Sequence, residues 1–310
     1  MQKHKYLLLA LVLFAAVYFA RSNLDEIKKI QNVRAETVLS LVVLNLLSRM
    51  TVGYRIKTVS RIYGIDIGFG EWFGVAAINS FYNYLLAKSG TLANAMYFGK
   101  KYGVSMPNYI VTFGSTHVFT LLACGIVGLP ASVYAAGRGY PADALCALFL
   151  FLLAVPCVLI FFPDLEWKGG STLQNKARSL LQGWSVLRRS KETCALLLLC
   201  ELSNLLFFAL RFYLAFQAFG YDLDFWVSLL LSPVTLLSGF IGITPAALGI
   251  REAAGGLLTR LLGFGMQAGV LATVLDRAVV MTIAFTLGPF FSYTLLKGID
   301  AAPHKPQEKI

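Results

Sequence analysis

Charge is scarce in this sequence. Asp, Glu, Lys and Arg make up 14% of the 310 residues, against about 25% in an ordinary globular domain. That shortage argues against a soluble enzyme. Histidine is scarcer still, with three residues, and His4 and His304 fall near the two ends. His117 is left as the one histidine in an apolar stretch, where packing is its ordinary role. No HExxH, Walker phosphate loop, GxSxG elbow or acidic cluster suited to a divalent metal occurs. We therefore expect no enzymatic activity, no cofactor and no metal. The five cysteines (Cys124, Cys146, Cys157, Cys194 and Cys200) all lie in apolar runs and form no CxxC pair. They read as small packing residues rather than disulfide partners.

What the chain has in quantity is apolar surface: 57% hydrophobic residues and a mean hydropathy of +0.67. The excess falls in stretches of about 15–25 residues, the length a helix needs to cross roughly 30 Å of hydrocarbon. The sequence predicts an all-α polytopic membrane protein of one domain, with about six full spans at 6–20, 37–54, 107–129, 141–162, 193–219 and 267–297. The first run resembles a signal peptide, but bulky Tyr18 sits where a cleavage site wants a small residue, so an uncleaved helix is expected. A net charge of +11 would suggest nucleic acid on a soluble chain. Here it reads as the basic loops of a bilayer protein, and no nucleic-acid partner is expected.

Two further apolar regions, 72–99 and 225–262, are broken in the middle, by Lys88-Ser89-Gly90 and by Thr244-Pro245 through Gly249. Each reads as a re-entrant hairpin of two helical arms around an irregular tip, tolerated at membrane depth only inside protein or beside a water-filled cavity. With the N-terminus inside, sixteen basic residues fall in inside segments and five in outside ones. The expected topology is therefore N-in and C-in, in the cell membrane. The first hairpin then leaves from the inside and the second from the outside. This gives an inverted repeat of units at about 37–129 and 193–297, the design transporters use to place broken helices at a midplane site. Between them, Leu173, Ala177, Leu180, Trp184 and Leu187 share one helical face amid basic residues. That pattern predicts an amphipathic linker helix over about 171–190, resting on the inner leaflet or packed under the bundle.

Six basic and three acidic side chains remain inside the apolar segments: Arg49, Lys88, Arg211, Arg251, Arg260 and Arg277 against Glu201, Glu252 and Asp276. Each charge there costs about 2.5–3.5 kcal/mol on insertion scales, so it needs a partner, a cavity or a route to the interface. Arg49 and Arg260 lie near segment ends and are expected to snorkel. Lys88 and Arg251 sit at the hairpin tips. Ser89 is placed to cap the second arm of hairpin one, and Thr244-Pro245 to begin a helix in hairpin two. Helix N-termini beside Lys88, Ser89, Gly90 and Arg251 would suit a phosphate. The alternative is that Arg251 and Glu252 pair structurally with Arg277 or Asp276. Glu201, Asn204 and Arg211 share a face of one span, and Asn79 and Asn83 lie one turn apart on hairpin one. Each set either binds helices together or lines a site.

Two stretches carry a family resemblance. One runs Asn79-Ser80-Phe81-Tyr82-Asn83-Tyr84-Leu85-Leu86-Ala87-Lys88-Ser89-Gly90-Thr91-Leu92-Ala93 and continues to Lys100-Lys101-Tyr102-Gly103-Val104-Ser105. The other is Thr244-Pro245-Ala246-Ala247-Leu248-Gly249-Ile250-Arg251-Glu252-Ala253. Over about residues 5–297 the chain resembles the flippase-like family named for the transmembrane region of lysylphosphatidylglycerol synthase. A proline common near Leu86 in that family is absent here. In two-part members a soluble domain makes the aminoacylated lipid and the membrane domain moves it. This sequence carries no transferase, so the resemblance implies translocation without synthesis.

The expected function is thus movement of an anionic or phosphate-bearing lipid, such as an anionic phospholipid or a polyprenyl phosphate, between leaflets. The competing expectation is a membrane scaffold or accessory subunit of a lipid-modifying or glycan-assembly enzyme. Oligomeric state is left open.

Overall fold

The structure is a computed structural model, and it describes residues 33–161, 187, 190–241 and 244–300. The expected first span at 6–20 lies outside the described residues, as does the linker helix over 171–190 apart from Leu187 and Ser190. Among the described residues every regular element is helical. Four helical units among the described residues are long and apolar enough to cross a membrane.

The chain runs α1 Ala35–Ile62, α2 Phe69–Leu85, α3 Ser89–Tyr102, α4 Met106–Ser115, α5 His117–Gly137, α6 Asp143–Phe161, α7 Lys191–Ala218, α8 Phe225–Ser238, α9 Ile250–Leu261 and α10 Met266–Asp300. The four spans are α1, the α4–α5 unit, α7 and α10. The segment expected at 141–162 is the shorter apolar α6. Local chemistry sets the boundaries. Ser105 and Ser190 accept from the backbone N–H groups of Asn108 and Thr193, capping α4 and α7. Pro107 occupies the first turn of α4, where its missing N–H has no helical partner to lose.

One boundary differs in a way that matters. The span expected at 37–54 continues to Ile62, because Arg55, Lys57 and Arg61 do not end the helix. Arg55 is paired with buried Glu201 on α7, and Lys57 and Arg61 reach the exposed carboxylate of Asp66. Arg55 is therefore not a loop charge, and it drops out of the inside-loop count. Arg49 is also not near a helix end; it lies in the middle of α1.

α2 and α3 pack together as the first hairpin, and α8 and α9 as the second. At about 1.5 Å per residue, the longer arms reach roughly 25 and 21 Å. Both fall short of the hydrocarbon thickness.

The neighbour pattern recurs between the halves. α1 packs on α2 as α7 does on α8; α2 packs on α10 as α8 does on α5; α1 meets α10 as α7 meets α5; α3 meets α4 as α9 meets α10. α9 crosses α10 closely, where Gly255 and Gly256 lie against Gly269, Val270 and Thr273 and a Cβ would collide with backbone or side chain. Small residues permit this close approach, the usual basis of helix association in a bilayer.

Two apolar clusters form the interior. One gathers Leu205, Phe212, Leu231, Leu258 and Leu271 with their neighbours, and the other Ile56, Trp72, Tyr97, Phe98 and Tyr109. Outward-facing Leu39, Phe151, Leu199, Phe290 and Tyr293 are exposed, as expected of surfaces that meet acyl chains.

Candidate functional site

The second hairpin turns through two single-turn 3-10 helices, Gly239–Ile241 and Pro245–Ala247. Ala246 and Ala247 stand at φ +47 and +55, a left-handed region that costs an L-residue about 1–2 kcal/mol. Arg277 on α10 compensates. Its Nη1 donates to the Ala246 carbonyl at 3.3 Å and its Nη2 to the Ala247 carbonyl at 3.2 Å. It also pairs through Nε with Glu252. Glu252 in turn accepts from the Gly249 N–H at 2.8 Å, at the first turn of α9. Contrary to the expectation from sequence, Thr244 does not cap that helix. Its hydroxyl donates to the Leu248 carbonyl at 2.8 Å, and Thr244-Pro245 heads only the 3-10 turn. The α-helix begins at Ile250, because Gly249 (φ +79) supplies the backbone reversal and Glu252 the cap.

The first hairpin turns at Leu86–Lys88, with Lys88 at φ +62. Ser89 does not cap α3 either: its hydroxyl donates backward, to the carbonyls of Tyr82 and Leu86. The cap comes from Asn83, whose Oδ1 accepts from the Gly90 N–H at 3.0 Å while its Nδ2 donates to Asn79 Oδ1 at 2.7 Å. Gly90 sits so close to Asn79 that a Cβ would strike its backbone carbonyl. Asn79 and Asn83 thus lock the tip. Lys88 is exposed and lies within electrostatic range of His117.

Between the hairpins lies a narrow cleft lined by Tyr84, Phe208, Phe212, Thr235, Arg251, Thr273, Asp276, Arg277 and Val280. Tyr84, just before the first tip, is in electrostatic range of Arg49, Arg251, Arg277 and Asp276. Arg49 is also in range of Arg211. Arg211 is buried and grips Asp276, with Nε 2.7 Å from Oδ1 and Nη2 donating to Oδ2 at 3.3 Å, and its guanidinium lies 4.1 Å over the Phe208 ring. Arg277 is held by Glu252. Arg251 makes no ion pair among the described residues, and its buried Nε has no hydrogen-bond partner. Arg49 makes no ion pair among the described residues. Four guanidinium groups therefore meet two carboxylates, both already engaged.

A second polar layer lies farther along α1 and α7. Arg55 pairs with Glu201, and Ser48 donates to Asn204 Oδ1. Thr51, Val52 and Cys200 complete a small pocket around them. At the base of hairpin one, the hydroxyls of Tyr97 and Tyr102 donate to Glu71 Oε1 at 2.7 and 2.6 Å, with Lys101 Nζ at 3.0 Å.

The structure brings Arg211, Arg251, Glu252, Asp276 and Arg277 into one cluster and adds Arg49 and Tyr84, which sequence reasoning had dismissed or passed over. The signal for Arg49 was its place fourteen residues into a helix whose basic tail looked like a loop. Lys88, Ser89, Gly90, Asn79 and Asn83 stand at the first tip, beside Tyr84 rather than on the cleft wall. Glu201 and Asn204 form the separate inner layer.

The sequence model of the lysylphosphatidylglycerol synthase TM region matches residues 5–288. No curated protein and no solved structure matches the chain.

Proposed function

We propose that this chain, which belongs to the lysylphosphatidylglycerol synthase transmembrane-region family, moves an anionic or phosphate-bearing lipid between leaflets. The family match and the four long apolar helices make it a multi-pass membrane protein with a lipid-related role. The observation that carries the finer reading is the excess of two guanidinium charges around Tyr84, within the bilayer-embedded part of the fold. Burying them costs several kcal/mol unless an anion joins them. The headgroup would enter the cleft between the hairpins while its chains remain in lipid. The exposed tip residues Leu85, Leu86, Phe240 and Ile241 offer apolar contact beside it.

The recurring neighbour pattern supports an inverted repeat: exchanging α1, α2, α3 and α4–α5 with α7, α8, α9 and α10 reproduces the main packings. We read the termini as cytoplasmic and the membrane as the cell membrane, from the loop charges. Without a nucleotide-binding segment in this sequence, a lipid gradient or downstream consumption would set the direction. The role proposed is that of a carrier rather than a catalyst.

The test is reconstitution of the purified protein into liposomes carrying chain-labelled fluorescent lipids, one anionic phospholipid and one polyprenyl phosphate, with a membrane-impermeant reducing quencher outside. Protein-dependent loss of the inner-leaflet signal, diminished in Arg251→Ala, is the expected result. Flat traces for both lipids from folded protein would favour the accessory-subunit reading instead.

A further inference from the structure

We infer that the cleft selects a lipid ending in a phosphate monoester, against phosphodiester lipids and against every lipid whose headgroup carries an ammonium. The inference rests on the same site as the transport reading, but it concerns what the site binds.

Three features of the cleft point to this class. The first is charge. Asp276 and Glu252 are the carboxylates in electrostatic range of Arg251, and Arg211 and Arg277 occupy them. Arg251 on the cleft wall and Arg49, behind Tyr84 and Arg211, are left without a carboxylate of their own. A phosphate monoester brings about −1.5 to −2 charges at pH 7, whereas a phosphodiester brings one. An ammonium group, as on an aminoacylated or ethanolamine headgroup, would meet the unpaired Arg251 guanidinium, with that of Arg49 behind Tyr84, and no carboxylate without an ion-pair partner.

The second feature is the donor set. Thr235 and Thr273 line the cleft, but their hydroxyls donate to carbonyls of their own helices, at 2.8 Å to Leu231 and Gly269. The donors left for a ligand are guanidinium N–H groups and the Tyr84 phenol, which match the oxygen-only surface of a terminal phosphate. Arg251 Nε, buried and without a partner, is one such donor already in place.

The third is size. The cleft is narrow and walled on one side by Phe208 and Phe212. A bare phosphate needs far less widening than a headgroup bearing glycerol or a sugar.

The experiment separates this inference from the transport reading by measuring binding as well as movement. The full chain in detergent would be titrated with dioctanoyl phosphatidate, farnesyl monophosphate, inorganic phosphate, dioctanoyl phosphatidylglycerol and dioctanoyl phosphatidylethanolamine. The same headgroups, on chain-labelled lipids, would be followed in liposomes. We expect both monoester lipids to bind at least about tenfold tighter than the diester and the ethanolamine lipid, a difference of about 1.4 kcal/mol. Inorganic phosphate should bind weakly, and which of the two monoester lipids binds tighter identifies the chain type.

Arg251→Gln should abolish the preference, and Arg49→Gln, which acts through the field behind Tyr84, should reduce it. Arg251→Lys, which keeps the charge, should retain part of it, and Arg260→Gln at the exposed end of α9 should leave it intact. Monoester preference without movement would end the transport reading and leave this inference standing. Equal affinities, a preference for the ethanolamine lipid or binding of none of the probes would overturn it, whatever the liposomes report.

Discussion

Around Tyr84 the four arginines divide by whether the protein itself neutralises them, and their substitution should divide in the same way. Arg211 has Asp276, and Arg277 has Glu252 and two carbonyls. Removing one partner of a buried ion pair strands the other and typically costs about 3–5 kcal/mol. Asp276→Asn should therefore lower the thermal midpoint of the detergent-purified protein, and Arg211→Met combined with Asp276→Leu should recover much of the loss. Arg251 has nothing to strand. Arg251→Gln should leave the midpoint unchanged or raised while reducing lipid binding. Tryptophan fluorescence on heating reads all of these variants, and a destabilised Arg251→Gln beside an unaffected Asp276→Asn would refute the partition. At this scale the sequence was informative about which charges matter and poor about who holds them. Arg251, Glu252, Asp276 and Arg277 stood out because charge is rare in apolar runs. Arg49 did not, since the paired basic residues after it imitate the end of a span. Glu201 found its partner in Arg55, which looked like a loop residue for the same reason.

At the scale of the elements, both hairpins were readable from the breaks in their apolar runs, and their ends lie within a few residues of expectation. Their internal bonding was not readable. Asn83 caps a helix beginning beyond Lys88 only because the chain has already folded back on itself, and Arg277 reaches Ala246 and Ala247 from a different helix. Contacts of this kind follow from closure of the hairpin, which periodicity does not describe. The two tips should consequently respond in opposite ways to small changes. Glycine at position 246 or 247 removes a left-handed alanine, so Ala246→Gly should stabilise by about 1 kcal/mol, provided Arg277 keeps its bonds to the carbonyls. Gly90→Ala places a methyl group against the Asn79 carbonyl, a backbone atom that cannot step aside, and should be destabilising. Loss of the Asn83 cap in Asn83→Ala should cost about 1 kcal/mol. Thermal midpoints of the three variants, measured together, check the signs; a stabilising Gly90→Ala would show that the tip is not closed on Asn79.

For the whole molecule, the all-helical, membrane-spanning character followed from hydropathy, because a bilayer imposes its thickness on every segment that crosses it. Of the six spans expected, four appear as long apolar helices among the described residues, 141–162 is a shorter helix and 6–20 lies outside them. What hydropathy cannot give is which helix packs on which. The neighbours α2 and α10, and α5 and α8, are far apart in sequence, yet they occupy corresponding places in the two halves. If that correspondence reflects an inverted repeat, the bases of the two hairpins must open on opposite sides of the membrane. Asp66 lies in the exposed turn before α2, and Asp222 in the exposed turn before α8. Asp66 does pair with Lys57 and Arg61, but on an exposed surface such pairs contribute about 0–1 kcal/mol, so substitution there should be tolerated. With the five native cysteines replaced by alanine, Asp66→Cys and Asp222→Cys should react with a membrane-impermeant maleimide from opposite faces of a sealed vesicle: Asp66→Cys from the cytoplasmic face, Asp222→Cys from the other. Labelling of both from one face would require an odd number of crossings fewer between residues 66 and 222. It would remove the inverted repeat, and with it the reason for the two tips to converge on one cleft from opposite leaflets.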